Sequence, residues 1–297
     1  KGLLIIFDNL PEFISSKFLL LDKINVGWAS HLWKPLSSSE KAASITIPFL
    51  LHLLSSLTII PFYFLAKQIT LSFKTAVRST FLYAIIPSLS FFAVIFDPIY
   101  AVFPILSILF IAIGVRQKKL KLISLGSFIF AIGLFFSLSI LPVLFGLCVF
   151  TFFSTTKSNL HEIFKYAVYF SAGLLFFAFF LFIINFDIVN SFFAIIKAQA
   201  ERDYWSWILF NPYDFFVYLG LPVSIIFLTS SILAFKNLRI VRQNIFSRII
   251  FSFWIAFIIL IISGISLGEV GRIWIPFMFI PVIIAGSYAT ERLKFST

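Results

Sequence analysis

The sequence predicts an all-α fold, a polytopic bundle of transmembrane helices formed by one integral membrane domain over 1–297. Of the 297 residues, 61% are hydrophobic and 12% are charged, whereas a soluble domain is roughly 45–50% apolar and about 25% charged. The mean hydropathy is +1.06, and 43 residues are phenylalanine. A single soluble core cannot hide so much apolar surface. Cys148 is the only cysteine, which excludes a secreted disulfide scaffold.

About nine apolar segments are predicted to cross the membrane, since a crossing helix needs about 20 mostly apolar residues. They lie at 45–66, 77–96, 98–115, 120–136, 138–154, 163–185, 212–235, 246–267 and 272–290. Lys1 to Phe7 reads as the last turn of a preceding helix. We therefore expect the natural start of the protein to lie before Lys1.

Two boundaries between these spans follow from local signals. The residue before a proline is disfavoured in helical geometry, so Asp97-Pro98 separates the second span from the third. The apolar stretch from Leu120 to Phe153 is too long for one helix. Ser137, Ser139 and Pro142 mark its predicted hairpin.

The basic residues predict the orientation of the spans. With nine spans, fifteen cations fall on one side of the membrane, and the positive-inside rule makes that side and the C-terminus cytoplasmic. They are Lys67, Lys74, Arg78, Arg116, Lys118, Lys119, Lys121, Lys157, Lys165, Lys236, Arg239, Arg242, Arg248, Arg292 and Lys294. Because they sit in short clusters between apolar runs, the net charge of +11 does not indicate a nucleic-acid partner.

The acidic residues are predicted on the opposite, extracytoplasmic side. Ten of the twelve fall there: Asp8, Glu12, Asp22, Glu40, Asp97, Asp187, Glu201, Asp203, Asp214 and Glu269. Acidic residues contribute little to topology, so insertion does not explain this segregation. It indicates that the outer face carries the chemistry.

Three outer segments are long or polar enough to carry a site. The first extracytoplasmic loop, 8–44, contains apolar residues at helical spacing, which predicts an interfacial helix. The second large loop, 186–211, contains Arg202, Tyr204 and Trp207. The third is the short turn from Gly268 to Arg272.

Several of these residues also have purely structural interpretations. Glu269 and Arg272 are three apart and could simply pair with each other. Asp97 could cap a helix, and Asn211-Pro212 reads as an N-cap followed by proline in the first turn. The functional reading of Arg272 is that a guanidinium at the membrane boundary clamps a lipid-linked phosphate.

The tryptophans also have a structural reading. Trp205, Trp207 and Trp274 could be aromatic residues of the interfacial belts.

The layout and three local stretches resemble the GT-C superfamily of membrane glycosyltransferases. The stretches are Phe96-Asp97-Pro98-Ile99-Tyr100, Trp207 with Asn211-Pro212-Tyr213-Asp214-Phe215, and Gly268-Glu269-Val270-Gly271-Arg272-Ile273-Trp274. They are similar to stretches of prokaryotic members related to the dolichyl-phosphate-mannose and aminoarabinose transferases. The resemblance implies a sugar transfer from a polyprenyl-phosphate donor on the outer face of a prokaryotic plasma membrane.

The resemblance also implies roles for individual residues. An aspartate early in the first outer loop is the catalytic base of that family, and Asp8 stands at the matching position. The family often shows an Asp-Glu pair there, whereas this chain has Asp8-Asn9. Arg272 would bind the donor phosphate. The remaining substrate-binding candidates are Glu269, Arg202, Tyr204, Trp207 and Asp97.

No cofactor is expected. Asp8 and Glu12 could share a divalent ion, but no Asp-X-Asp spacing supports a metal site. The expected partners are the lipid-linked sugar donor, membrane lipid and an acceptor that the sequence does not identify.

Two other functional classes stay open. A transporter or flippase for a lipid-linked or anionic substrate would carry polar groups at the membrane midplane. His52 is the one histidine inside a predicted span. A non-catalytic membrane scaffold would show a closed, apolar outer face.

Overall fold

The computed structural model describes most of the chain from Ser38 onwards. The described residues are 38–156, 158–187, 190–191, 193–194, 197, 203–236, 244–264 and 267–292. Within them the regular structure is helical throughout. The predicted all-α class is therefore confirmed for the described part of the chain, while the predicted interfacial helix before Ser38 lies outside it.

The helices follow one another closely. In chain order they are α1 (Ser38–Leu57), α2 (Ile59–Thr70), α3 (Phe73–Ala84), α4 (Pro87–Phe91), α5 (Asp97–Tyr100), α6 (Val102–Arg116), α7 (Leu120–Phe136), a 3₁₀ turn (Leu138–Ile140), α8 (Leu141–Ser154), α9 (Leu160–Ile183), α10 (Tyr204–Leu219), α11 (Leu221–Lys236), α12 (Ile245–Ser263), α13 (Val270–Ile273) and α14 (Ile275–Arg292). Residues 38–44, predicted as the end of the first loop, thus belong to α1.

Several helices are suited to a membrane. Among the described residues, four are long and apolar enough to cross one: Thr46–Thr70, Asp97–Arg116, Leu160–Ile183 and Ile245–Ser263. The consecutive pair α10 and α11 makes a fifth if it is counted as one broken span. Further apolar helices are shorter, including α7 and α14. These lengths support a helical membrane protein but do not confirm nine spans.

The predicted span 77–96 is not one helix. Helix α3 begins earlier, at Phe73, and ends at Ala84, and the five-residue α4 begins at Pro87. Ile86 has an extended backbone, with φ −64° and ψ 135°, as expected for a residue that precedes a proline. Pro87 causes the break, and a hydropathy average does not detect it.

The predicted span 212–235 is also wrong as a single helix. Helix α10 begins at Tyr204 and ends at Leu219, and Gly220 takes a positive φ of 93° before α11. The two helix axes are bent by 114°. Pro212 lies inside α10, so the Asn211-Pro212 helix start is wrong too.

Helix α10 starts eight residues earlier than predicted because Asp203 caps it. The Asp203 carboxylate accepts a hydrogen bond from the Ser206 backbone N–H at 3.2 Å. It also accepts one from the Ser206 hydroxyl. These bonds satisfy a backbone donor that would otherwise lack a partner at the helix start.

The two boundaries predicted from local signals are confirmed. Asp97 opens α5 with Pro98 in its first turn. Helix α7 ends at Phe136, the 3₁₀ turn follows, and Pro142 stands in the first turn of α8. The two helices are not paired as the predicted hairpin, because α7 packs mainly on α6 and α9, and α8 mainly on α12.

Small residues allow the closest helix contacts, as is usual between membrane helices. Helix α14 packs on α3 where Gly286 faces Ser79. Helix α9 packs on α7 where Gly173 faces Ser127. Elsewhere the core is strongly aromatic, and the rings of Phe253 and Phe277 stack at 4.7 Å.

The contact between α14 and α3 gives a first prediction. A methyl group added by Gly286→Ala would come within 2.8 Å of the Ser79 Cα atom, so the helices must separate. Overpacking of this kind costs about 1–3 kcal/mol. We expect a lower melting temperature for the purified protein in detergent.

Gly146→Ala is the matched control for that substitution. Its methyl group would lie 3.6 Å from the Ala256 Cβ atom, an ordinary van der Waals distance, and the melting temperature should change little. Equal melting temperatures for the two variants would contradict the proposed close packing of α14 on α3.

Candidate functional site

Charged residues mark two opposite ends of the helix bundle. Asp97 and Arg116 bound one helical segment of 20 residues, which corresponds to a length of about 30 Å and to the thickness of a hydrocarbon core. We call the end that contains Asp97 and Glu269 the acidic end, and the end that contains Arg116 the basic end.

Three of the sequence-predicted site residues meet at the acidic end. Arg272 Nη2 donates to Glu269 Oε2. Arg272 Nε lies 3.6 Å from Asp97 Oδ2. The interpretation in which Glu269 pairs with Arg272 is therefore confirmed. The structure adds Asp97, which is 172 positions away from Glu269 in the chain, to the same cluster.

This cluster of Asp97, Glu269 and Arg272 is accessible and incompletely bonded. The side chains are 23%, 47% and 38% exposed, respectively. Arg272 Nε is itself buried and, within the described residues, has no hydrogen-bond acceptor. Because exposed ion pairs contribute about 1 kcal/mol or less each, we expect the cluster to add little to stability.

A buried amide positions the turn that carries the cluster. Asn211 is fully buried on α10, and its Oδ1 accepts a hydrogen bond from the Gly268 backbone N–H at 3.1 Å. Gly268 has a φ of 80° and Glu269 a φ of 56°. Two consecutive residues in the left-handed region turn the chain sharply into α13.

Helix α13 is then held against α4 and α10. The Ser88 hydroxyl lies 2.7 Å from the Gly271 carbonyl oxygen and 3.1 Å from that of Tyr218, and its single hydrogen is shared between them. A Cβ atom at position 271 would overlap the Tyr218 ring, so only glycine allows this approach. The backbone around Arg272 is thereby fixed from two sides.

Trp274 anchors the end of α13 in the core. Only 1% of its surface is exposed, and its ring packs against Phe257 at 5.6 Å and Phe215 at 6.0 Å. The interpretation of Trp274 as an interfacial belt residue is therefore wrong.

Tyr204 and Trp207 lie on α10 but are not bonded to the cluster. The Tyr204 hydroxyl donates to the Ile262 carbonyl at 2.6 Å, which ties the start of α10 to the end of α12. The Trp207 ring contacts Phe210 of its own helix at 6.4 Å. Within the described part of the chain, no hydrogen bond links either side chain to Asp97, Glu269 or Arg272.

Two predicted site residues, Asp8 and Arg202, lie outside the described residues. The sequence reading also missed three residues that position the site, namely Ser88, Asn211 and Tyr218. Asn211 carried a signal, because an amide in an apolar helix must find a hydrogen-bond partner inside the protein. Ser88 acts through hydrogen bonds to two carbonyl oxygens, and Tyr218 acts through close packing against Gly271. Neither contact has a sequence signature.

The cluster is not arranged as a metal site. Among the described residues, no group of three or more His, Cys, Asp and Glu side chains is arranged to hold a metal ion. The Arg272 guanidinium also contacts both carboxylates of the cluster, and its positive charge would repel a divalent cation.

Comparisons with protein-family models, with curated proteins and with solved structures find no match to this chain. A proposal for its function therefore rests on the chemistry of its own residues.

The Asn211 contact gives a second prediction. Asn211→Ala leaves the Gly268 N–H buried without its acceptor, which costs about 1–3 kcal/mol. We expect a clearly lower melting temperature in detergent. Trp205→Ala, a substitution at a 74% exposed position of the same helix, should have little effect, and an equal loss in both variants would contradict the positioning role of Asn211.

The Asp203 cap gives a prediction about pH. The hydrogen bonds from the Ser206 side chain and backbone lower the pKa of the Asp203 carboxyl below its usual value. The ionised cap thus stabilises the folded state above the usual carboxyl pKa of about 4. This stabilisation disappears as the pH falls through the lowered pKa.

We therefore expect Asp203→Ala to lower the melting temperature at neutral pH and to have progressively less effect below about pH 4. Ser206→Ala keeps the backbone donor and should have a smaller effect. A loss in Asp203→Ala that does not change with pH would show that the carboxylate charge is not involved.

Proposed function

We propose that the chain is an integral membrane glycosyltransferase that moves a sugar from a polyprenyl-phosphate donor to an acceptor on the extracytoplasmic face. The observation that carries the proposal is the state of Arg272, whose buried Nε N–H has no hydrogen-bond acceptor among the described residues. The Asp97 Oδ2 atom lies 3.6 Å from this Nε. The described residues thus leave the guanidinium incompletely bonded.

A phosphate is a suitable ligand for this guanidinium. Arginine presents five N–H donors in a planar fork that matches phosphate oxygens. The described contacts place Nε beside Asp97 and Nη2 on Glu269, so a phosphate would take the place of one of these carboxylates. The partly exposed pairs with Asp97 and Glu269 can rearrange when a phosphate arrives.

The chemistry of the proposed transfer is a displacement at the anomeric carbon. The acceptor hydroxyl attacks that carbon, the bond to the phosphate oxygen breaks, and polyprenyl phosphate leaves with the bonding electrons. Arg272 stabilises the negative charge that develops on the leaving phosphate. Asp8, as the proposed base, takes the proton of the acceptor hydroxyl, and direct displacement inverts the anomeric configuration.

The other predicted residues support these two roles in the proposal. Asp97 and Glu269 hold the guanidinium toward the donor phosphate. Arg202, Tyr204 and Trp207 contact the sugar or the acceptor. The proposed location is the plasma membrane of a prokaryote, with the C-terminus in the cytoplasm.

One observation favours a second function, transport of a lipid-linked or anionic substrate. Discontinuous helices form substrate sites in many transporters, and α10 and α11 form such a broken pair, bent by 114° at Gly220. An apolar cavity of about 550 Å³ lies beside the bend. It is lined mainly by residues 217–223.

The test uses the purified full chain in proteoliposomes with a panel of short-chain polyprenyl-phosphate hexoses and pentoses. The readout is the release of polyprenyl phosphate. We expect Arg272→Ala to lower the rate by roughly 100-fold or more, the usual effect of removing a donor that stabilises developing charge. Asp8→Asn alone should abolish most of the wild-type turnover. Arg272→Lys should retain part of the activity, because lysine keeps the positive charge but lacks the planar fork of N–H donors.

Lys197→Gln is the control, since Lys197 is an exposed cation outside the cluster, and this variant should keep the wild-type rate. Wild-type rates in both Arg272→Ala and Asp8→Asn would refute the proposed roles. Movement of the intact donor between membrane leaflets without sugar release would establish the transporter instead.

A further inference from the structure

A second polar site lies at the basic end, far from the cluster of Asp97, Glu269 and Arg272. There the last turns of α2 and α6 border a groove of about 480 Å³. Its lining residues are Phe64, Lys67, Gln68, Leu71, Leu109, Ile113 and Arg116. The segment from Asp97 to Arg116 separates this groove from the acidic end by about 30 Å.

The polar side of the groove is cationic. Lys67 and Arg116 stand in the last turns of two helices that pack together, α2 and α6. Within the described residues neither forms an ion pair, whereas the neighbouring Lys118 is paired with Glu162 at 3.3 Å. Among the described residues, the polar lining of the groove consists of two positive charges and the Gln68 amide, with no carboxylate.

The other side of the groove is apolar. Phe64 and Leu71 are 51% and 66% exposed, and Ile113 and the mostly buried Leu109 line the groove from α6. Leu71 follows the last residue of α2 with a φ of 56°, a left-handed conformation that leucine rarely adopts. The exposed Leu71 side chain thus borders the same groove as Lys67.

We propose that this groove binds an anionic phospholipid. The phosphate lies between Lys67 and Arg116 with the Gln68 amide as a further donor, and an acyl chain lies along Phe64, Leu109 and Ile113. The charge of the groove is complementary to such a headgroup, and its apolar wall is complementary to the chain. A volume of about 480 Å³ is in the usual range for small-molecule sites, and this site is independent of the proposed glycosyl transfer.

The test is native mass spectrometry of the full chain in detergent, titrated with phosphatidylglycerol or phosphatidylcholine. Each cation near an anionic lipid surface strengthens binding by a factor of roughly 5, so we expect K67Q/R116Q to bind phosphatidylglycerol roughly 30-fold more weakly. The matched control is K74Q/R78Q, which removes the same charge from exposed positions on α3 outside the groove and should bind like the wild type.

Two further comparisons identify the ligand and guard against misfolding. Phe64→Ser should weaken the binding of phosphatidylglycerol, because it alters only the apolar wall. Glycerol phosphate, which has no acyl chain, should bind this variant as well as it binds the wild type. The charge-conserving K67R/R116K should bind nearly as well as the wild type, which shows that the groove tolerates substitution at both positions.

Three results would overturn the proposal. Equal affinity of the wild type for the two phospholipids would exclude a charge-selective site. An equal loss in K67Q/R116Q and K74Q/R78Q would show a general effect of surface charge. Full displacement of the lipid by millimolar glycerol phosphate would show that the groove takes a free phosphate compound and no acyl chain.

Discussion

The acidic end of the molecule depends on the packing of the short helix α13 against α10. Asn211 binds the Gly268 N–H, and Gly271 lies directly against the Tyr218 ring. Trp274 then enters the aromatic core beside Phe215. These contacts fix the backbone on both sides of Arg272 without using its charge, so the guanidinium can be exposed and only weakly paired while its position stays defined.

The composition and a few local signals predicted much of this architecture. The apolar content led to the helical membrane class, Asp97-Pro98 marked a helix start, and the spacing of Glu269 and Arg272 predicted their pair. The helix breaks at Pro87 and Gly220 were missed because hydropathy is continuous across both positions. The convergence of Asp97 with Arg272 was missed because their distance in space depends on how separate helices pack.

The misplaced start of α10 shows how two local signals compete. Asn211-Pro212 has the form of an N-cap and a first helical turn, yet the helix begins at Asp203, which has the same capping chemistry. Once the helix starts there, Asn211 is buried and its amide serves a tertiary contact with Gly268. An asparagine in an apolar run therefore has two structural uses, and its immediate neighbours do not distinguish them.

The two ends of the bundle use charge in different ways. At the acidic end a guanidinium is held between two carboxylates, which orients it and partly neutralises it, so an incoming anion must exchange with a carboxylate. At the basic end the described residues that line the groove include Lys67 and Arg116 and no carboxylate, so a bound anion does not have to displace one. Exchange of a carboxylate for the anion suits the proposed transfer, in which a donor binds and leaves in each cycle. A pair of cations that no carboxylate neutralises suits the proposed lipid, which stays bound.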